Sequence, residues 1–348
     1  MATKRDAELV RILIASPLEA DQVERISTAA PERTAVIYDP TLLPVPRWSA
    51  DHVGVARELG PMEITRWRHH LASADISFDV DWFEPARMPA NAPKLRWVQT
   101  TGAGIVDILQ RNNLTNSGIV FTTAAGVHAV PLAEHAVMGL LYLVKAVPRL
   151  RVWQAAHHWQ HYTCDLLSGR RVLVIGLGHI GRQISRSLAA LGVDVWGTDP
   201  YVASMPDGVS RVIPIRDLGL ALPDVDGIVI ACPKTPETYH LVGAPELAAM
   251  KPSAVLVNVG RGTVVEEGAL IRALQEGRLA GAVLDVFENE PLASESPLWD
   301  LPQVLISPHS AATASTENAL IVDLFIENLN RYLRGRPLLN VFDTSRGF

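Results

Sequence analysis

Short apolar runs alternate along this chain with amphipathic stretches, and the alternation starts twice. Residues 11–15, 34–38, 76–78 and 95–99 are apolar enough to read as buried strands, with helical stretches near 20–30 and 61–74 between them. From Arg170 the pattern begins again. A strand is expected at 172–175, followed by a helix whose face carries Ile180, Ile184, Leu188 and Leu191 and which stops at Gly192. Further strands are expected at 193–197, 227–231, 254–258, 282–286 and 304–307. Strands alternating with helices predict parallel sheets covered on both faces, so the expected fold class is α/β with two doubly wound parallel-sheet domains.

Three segments stand outside the alternation. Residues 129–147 are apolar on nearly every side and are expected to form a buried helix that ends at Pro148 and joins two domains or lines a subunit contact. A last helix carries Val322, Phe325, Ile326, Leu329 and Leu333 on one face and is expected to fold back onto the first domain. Residues 39–60 hold Pro44, Pro46, Arg47, Trp48 and His52 and read as a surface loop.

At 348 residues the chain has room for two domains, and with 48% apolar and 20% charged residues it can fill two cores. A net charge of −6 and a pI near 6.0 give no electrostatic footprint for nucleic acid. The start, with Lys4, Arg5, Asp6 and Glu8, does not read as a secretory signal. The longest apolar run, 136–144, is too short to span a bilayer. Cys164 and Cys232 are far apart and in no metal-like spacing, so reduced thiols, a cytoplasmic location and no metal are expected.

Candidate chemistry begins at Gly176-Leu-Gly178-His179-Ile180-Gly181, which follows a strand and opens a helix. There Gly176 permits a tight turn, Gly178 lets a pyrophosphate approach the backbone, Gly181 lets helix and strand pack, and the amides of His179 and Ile180 point at phosphate. Asp199 ends the next strand, about 20 residues on, where a carboxylate accepts the ribose hydroxyls of NAD and repels a 2′-phosphate. A plain turn residue before Pro200 is the alternative for Asp199.

Three polar residues follow in order. Arg261 sits between Gly260 and Gly262 after a strand, where a guanidinium could bind a carboxylate with two parallel hydrogen bonds and polarise a carbonyl. Glu290 and His309 follow two later strands and are expected to be neighbours. A carboxylate on one imidazole nitrogen fixes the tautomer, and the other nitrogen can exchange a proton with a hydroxyl or carbonyl oxygen. Singly, each residue is as well explained by turn or surface roles.

At these residues the chain resembles the D-isomer-specific 2-hydroxyacid dehydrogenase family. The matches are the glycine loop, Asn258-Val-Gly-Arg261-Gly262, the run from Asp285 to Pro291, Pro308-His309 with Thr313, and Ala133-Glu134 on the long helix. The resemblance implies a Rossmann-type cofactor domain at 126–310 and a flavodoxin-like substrate domain at 1–125 plus 311–348. It implies NAD-dependent interconversion of a 2-oxo acid and a D-2-hydroxy acid, with His309 as general acid and base, Glu290 its partner and Arg261 on the substrate carboxylate and carbonyl. It further implies that Asp285 binds the nicotinamide amide, that Cys232, Pro233, Val259 and Gly260 lie along the cofactor, and that the amides of Ala103 and Gly104 take the substrate carboxylate. A homodimer through the cofactor domain is part of the same implication.

The chain departs from the family pattern at Gly104-Ile-Val-Asp107, at Thr123–Gly126, and at Ser310-Ala311 after the histidine. An NAD(H)-sensing corepressor-like binding protein would keep the same scaffold. A formate dehydrogenase would place glutamine where Glu290 stands. His157, His158 and His161 lack an acidic ligand and are read as surface residues.

Overall fold

The computed structural model describes residues 9–344; the N-terminal charges discussed above lie outside them. The chain divides into two units, Met1–Val127 with Thr313–Phe348, and His128–Ala312.

The first unit is built on five parallel strands: β1 Val10–Ile14, β2 Thr34–Ile37, β3 Ile76–Phe78, β4 Trp97–Gln99 and β5 Val120–Thr122. Their spatial order is β2-β1-β3-β4-β5, so the winding reverses between β1 and β3. One face of the sheet, including Ile12, Ile14, Phe78 and Trp97, packs on the helix Glu317–Leu333 through Ile321, Val322, Phe325 and Leu329. The Phe325 ring stacks on Trp97 at 5.2 Å. Truncating so large a buried ring costs about 3–5 kcal/mol. The last helix thus completes the first unit, as its apolar face foretold. On the other face Leu13, Val98 and Leu109 meet Trp67 and Leu71 of the helix Pro61–Ser73.

Residues 39–60 loop out from β2 and close on themselves by an antiparallel bridge between Val45 and Val55. Arg47 grips the buried Asp51 with bonds of 2.7 and 3.1 Å and lies over the Trp48 ring at 4.1 Å. The Arg47 guanidinium bond leads the causes that hold the Asp51 carboxyl far below the usual carboxylate range.

The second unit carries seven parallel strands: β6 Arg171–Ile175, β7 Asp194–Thr198, β8 Arg211–Val212, β9 Gly227–Ile230, β10 Val255–Asn258, β11 Gly281–Leu284 and β12 Val304–Ile306. Their order is β12-β11-β10-β9-β6-β7-β8, with the winding reversed between β6 and β9. Every residue of β9, β10 and β11 is buried, as continuous apolar strands covered on both faces should be. Helix His179–Ala190 buries Ile184 and Leu188, but Leu191 falls beyond its end and is exposed, contrary to the periodic reading.

The long apolar helix also differs from expectation. It runs Ala129–Val144, and the chain turns at Ala146, whose φ is 55°. Pro148 lies in the first turn of the next helix, Val147–Ala155, rather than ending the first. Proline suits that position because its missing N–H has no intrahelical acceptor there. Only one face of Ala129–Val144 is buried; Val130 and Met138 are exposed. Among the described residues no single helix is long and apolar enough to cross a membrane, although this helix and the next, bent by 63° from each other, together have that length and composition.

Candidate active site

The glycine loop lies at the carboxyl end of β6, beside the reversal of winding where open parallel sheets bind ligands. Gly176 has φ 94°, and a Cβ there would stand 2.8 Å from the Cys232 backbone. A Cβ on Gly181 would stand 1.8 Å from the Gly176 carbonyl oxygen, so the helix can start this close to its strand only without a side chain. Gly178 has nothing within 4 Å of such an atom. His179 and Ile180 open the helix His179–Ala190, and first-turn amides have no intrahelical acceptor.

Asp199 serves the loop directly. Its Oδ2 accepts from the Leu177 amide and its Oδ1 from the Tyr201 amide, each at 2.8 Å. It is therefore both the turn residue of the plainer reading and a carboxylate held beside the glycine loop. An open surface over Gly178, free amides and an adjacent carboxylate fit a dinucleotide. Cys232 and Pro233 lie just beyond β9, and Val259 and Gly260 just beyond β10, along the same edge. Burial pushes the Cys232 thiol up to about 12, so it stays protonated.

Arg261 is carried by a tightly specified turn. Asn258 at the end of β10 donates from Nδ2 to the Arg261 carbonyl at 3.0 Å and accepts from the Gly260 amide at 3.1 Å. A Cβ on Gly262 would overlap the Phe287 backbone at 1.9 Å, which brings the Arg261 turn against the segment leading to Glu290. The guanidinium donates to the Gly260 carbonyl at 2.7 Å.

Glu290 Oε1 accepts from the Phe287 amide at 3.0 Å, and Oε2 lies 2.7 Å from His309 Nδ1. Burial pushes the Glu290 carboxyl up, but its bonds to His309 and Phe287 and the charges of His309 and Arg261 outweigh this, and the net shift is downward. For His309 the bond to Glu290 dominates and raises the imidazole pKa against the effects of burial and of the Arg261 charge. Arg261 thus acts on both members of the pair, and the three residues lie near one another.

Asp285 has a role the sequence did not disclose. Its Oδ1 accepts from the amides of Ser310 and Ala311 at 2.9 and 3.0 Å, and its carbonyl accepts from the His309 amide at 2.9 Å. This buried carboxylate shapes the turn on which His309 sits, with φ 53°. Asn258 was visible only as part of a motif; its hydrogen bonds connect residues two and three apart, a loop-turn signal that asparagine after a strand can carry.

In the first unit, Ala103 and Gly104 follow β4 in a loop at the carboxyl edge of the sheet. The helix Val106–Arg111 begins just after, with Asp107 in its first turn. His157, His158 and His161 are exposed, and among the described residues no group of potential metal ligands forms.

Two parallel, doubly wound units, one with a phosphate-cradling glycine loop at its winding reversal, define a dinucleotide-binding class of protein. A family model described as the D-isomer specific 2-hydroxyacid dehydrogenase, NAD binding domain matches residues 137–311. The chain belongs to that family. It is 31% identical over 252 residues to a D-3-phosphoglycerate dehydrogenase of Methanocaldococcus jannaschii, covering 72% of this chain and 48% of the relative. The chain thus spans about half the length of the phosphoglycerate dehydrogenases it matches. It is 33% identical over 253 residues to a glyoxylate reductase of Korarchaeum cryptofilum, covering 70% of this chain and 75% of that one. A solved D-isomer specific 2-hydroxyacid dehydrogenase from Xanthobacter autotrophicus Py2, in complex with NADPH and MES, superposes with a TM-score of 0.77 at 28% identity, covering 98% of this chain and 100% of the other.

Proposed function

We propose that this protein is an NAD-dependent dehydrogenase that interconverts a small 2-oxo acid and the matching D-2-hydroxy acid. The second unit is the cofactor domain and the first the substrate domain. The observation that carries this reading is the 2.7 Å contact between His309 Nδ1 and Glu290 Oε2, with the Arg261 charge bearing on both.

The nicotinamide, when bound, supplies or takes the hydride at C2. The chain's own residues do the rest. The Arg261 guanidinium binds the substrate carboxylate and draws charge toward the carbonyl oxygen. Glu290 holds the proton on Nδ1 and favours the charged ring, so His309 presents a protonated Nε2 to that oxygen during reduction. In the oxidative direction the neutral ring takes the hydroxyl proton. The amides of Ala103 and Gly104 hold the other side of the carboxylate. The carboxyl of Asp285 shapes the His309 turn through one oxygen, and its other oxygen would hold the nicotinamide amide. The glycine loop, His179, Ile180, Cys232, Pro233, Val259 and Gly260 would hold the dinucleotide.

Asp199 favours NAD over NADP, because a 2′-phosphate would meet like charge there. The reading includes a homodimer through the second unit, where Val130, Met138, Val152, Trp159 and Leu166 are exposed apolar side chains. A panel of 2-oxo acids assayed for NADH and NADPH oxidation tests the function. Turnover with NADH is expected; no turnover of any 2-oxo acid with either cofactor, alongside capture of a peptide partner, would favour the corepressor-like alternative instead.

A further inference from the structure

The loop from Thr101 to Gly104 is anchored by a carboxylate that the mechanism leaves unused. Thr101 Oγ1 donates to Asp79 Oδ2 at 2.9 Å. Asp79 follows β3 with φ 74°, and its amide donates to the Gln99 carbonyl at 2.7 Å. Its other oxygen accepts from the Val80 amide at 2.8 Å. Asp79 therefore ties the ends of β3 and β4 to the first residue of the loop.

The 39–60 segment comes close to the same place, because His52 meets Ser16 just after β1 and the Ala15 amide beside it donates to the Phe78 carbonyl, next to Asp79, at 2.9 Å. Loss of solvation is the leading cause that pushes the Asp79 pKa up. His52 Nδ1 lies 2.7 Å from the Oγ of Ser16, a buried residue just after β1. Its Nε2 is buried with no hydrogen-bond partner among the described residues. A buried N–H left so carries a desolvation cost that a nearby carboxylate offsets electrostatically. The segment around His52 is itself stiff, because Asp51 accepts from the Gly54 amide at 2.9 Å and from the Arg47 amide at 3.0 Å.

We propose that Asp79 and His52 are positioning residues for the Thr101–Gly104 loop, and that through them the 39–60 segment sets how tightly a 2-oxo acid is held. The inference rests on the proposed function for what the loop binds. Two amides grip one carboxylate only while they share an aim, and Thr101 sets that aim from the loop's first position. The substrate carboxylate is unchanged by the reaction, so its contacts act alike in ground and transition states and a loosened grip raises KM more than it lowers kcat.

The test uses the full chain with His52→Gln, Asp79→Asn and Thr101→Val; the last removes a single bond without touching the Asp79 carboxyl. Hydrogen exchange of amides 101–104 is expected to accelerate about tenfold in each variant, because the brace closes that segment locally. KM for the best 2-oxo acid is expected to rise about tenfold, with kcat within about threefold and NADH affinity unchanged. A folded Thr101→Val variant with unchanged KM, or a lowered Tm without a KM effect, overturns the proposal. If the wild type turns over no 2-oxo acid, the proposed function fails on that result alone. Exchange at 101–104 then decides the brace by itself, unchanged exchange refuting it.

Discussion

Glu290 Oε2 stands 2.7 Å from His309 Nδ1, on segments that follow the hydrogen-bonded strands β11 and β12. The Phe287 amide fixes the other Glu290 oxygen and Asp285 fixes the His309 turn, so the pair is held from both sides. The contact raises the imidazole pKa and lowers that of the carboxyl. Reduction of a 2-oxo acid needs the protonated ring, so its rate should hold above the ordinary imidazole pKa and fall as pH rises through the raised one. Glu290→Gln removes the dominant cause of that shift. The base limb of the pH–rate profile for NADH oxidation should then move down toward about 6.5. An unmoved base limb would separate Glu290 from the chemistry.

The same pair links pH to stability. The His309 contribution is fully present below the ordinary imidazole pKa and is lost as pH rises through the raised value. The Glu290 contribution is present above the ordinary carboxylate pKa and is lost as pH falls through the lowered value.

Arg261 should matter to turnover far more than to cofactor binding. A preorganised donor on a carbonyl whose charge grows in the transition state is worth about 10²–10³ in kcat. Arg261→Ala should lose at least that much in kcat/KM, while NADH affinity, read by fluorescence titration, changes little. Near-normal turnover by the variant on every accepted 2-oxo acid removes Arg261 from the site.

Gly262 has a structural prediction of its own. A Cβ there meets the Phe287 backbone at 1.9 Å, and backbone cannot swing aside as a flexible side chain can. Gly262→Ala should destabilise the fold by about 1–3 kcal/mol and displace Arg261 relative to Glu290. Denaturant unfolding reads the first effect and kcat the second. A variant with an unchanged midpoint means the two segments are not packed as described.

Asp199 should govern cofactor choice. Asp199→Ala removes the like charge that a 2′-phosphate would meet and also the bond to the Leu177 amide. KM for NADH should rise about tenfold and the preference over NADPH should narrow. A wild type that prefers NADPH, the cofactor bound in the Xanthobacter relative, contradicts the assignment.

Much of this molecule is legible in its sequence because the informative signals are local. Strands such as β9 and β10 are continuous apolar runs, and Gly176, Gly178 and Gly181 declare a strand-to-helix turn within six residues. Arg261, Glu290 and His309 each follow a strand, so topology alone brings them to one edge. The misses lie where partners are distant or signals short. β8 has two residues, too few for any period to show. The turn at Ala146 depends on a left-handed residue that carries no glycine or asparagine as a marker. His52 and Asp79 are separated in sequence from each other and from Ser16 and Thr101, so only the folded chain joins them.

The most direct measurement is steady-state NADH oxidation by the wild type and by His309→Gln with the best 2-oxo acid, paired with NADH titration of both. The wild type should turn over and the variant should fall about 10²–10⁴-fold in kcat while binding NADH as before. A variant that keeps the wild-type rate and pH profile would mean that His309 moves no proton, and the reading of His309 and Glu290 as an acid–base centre would be wrong.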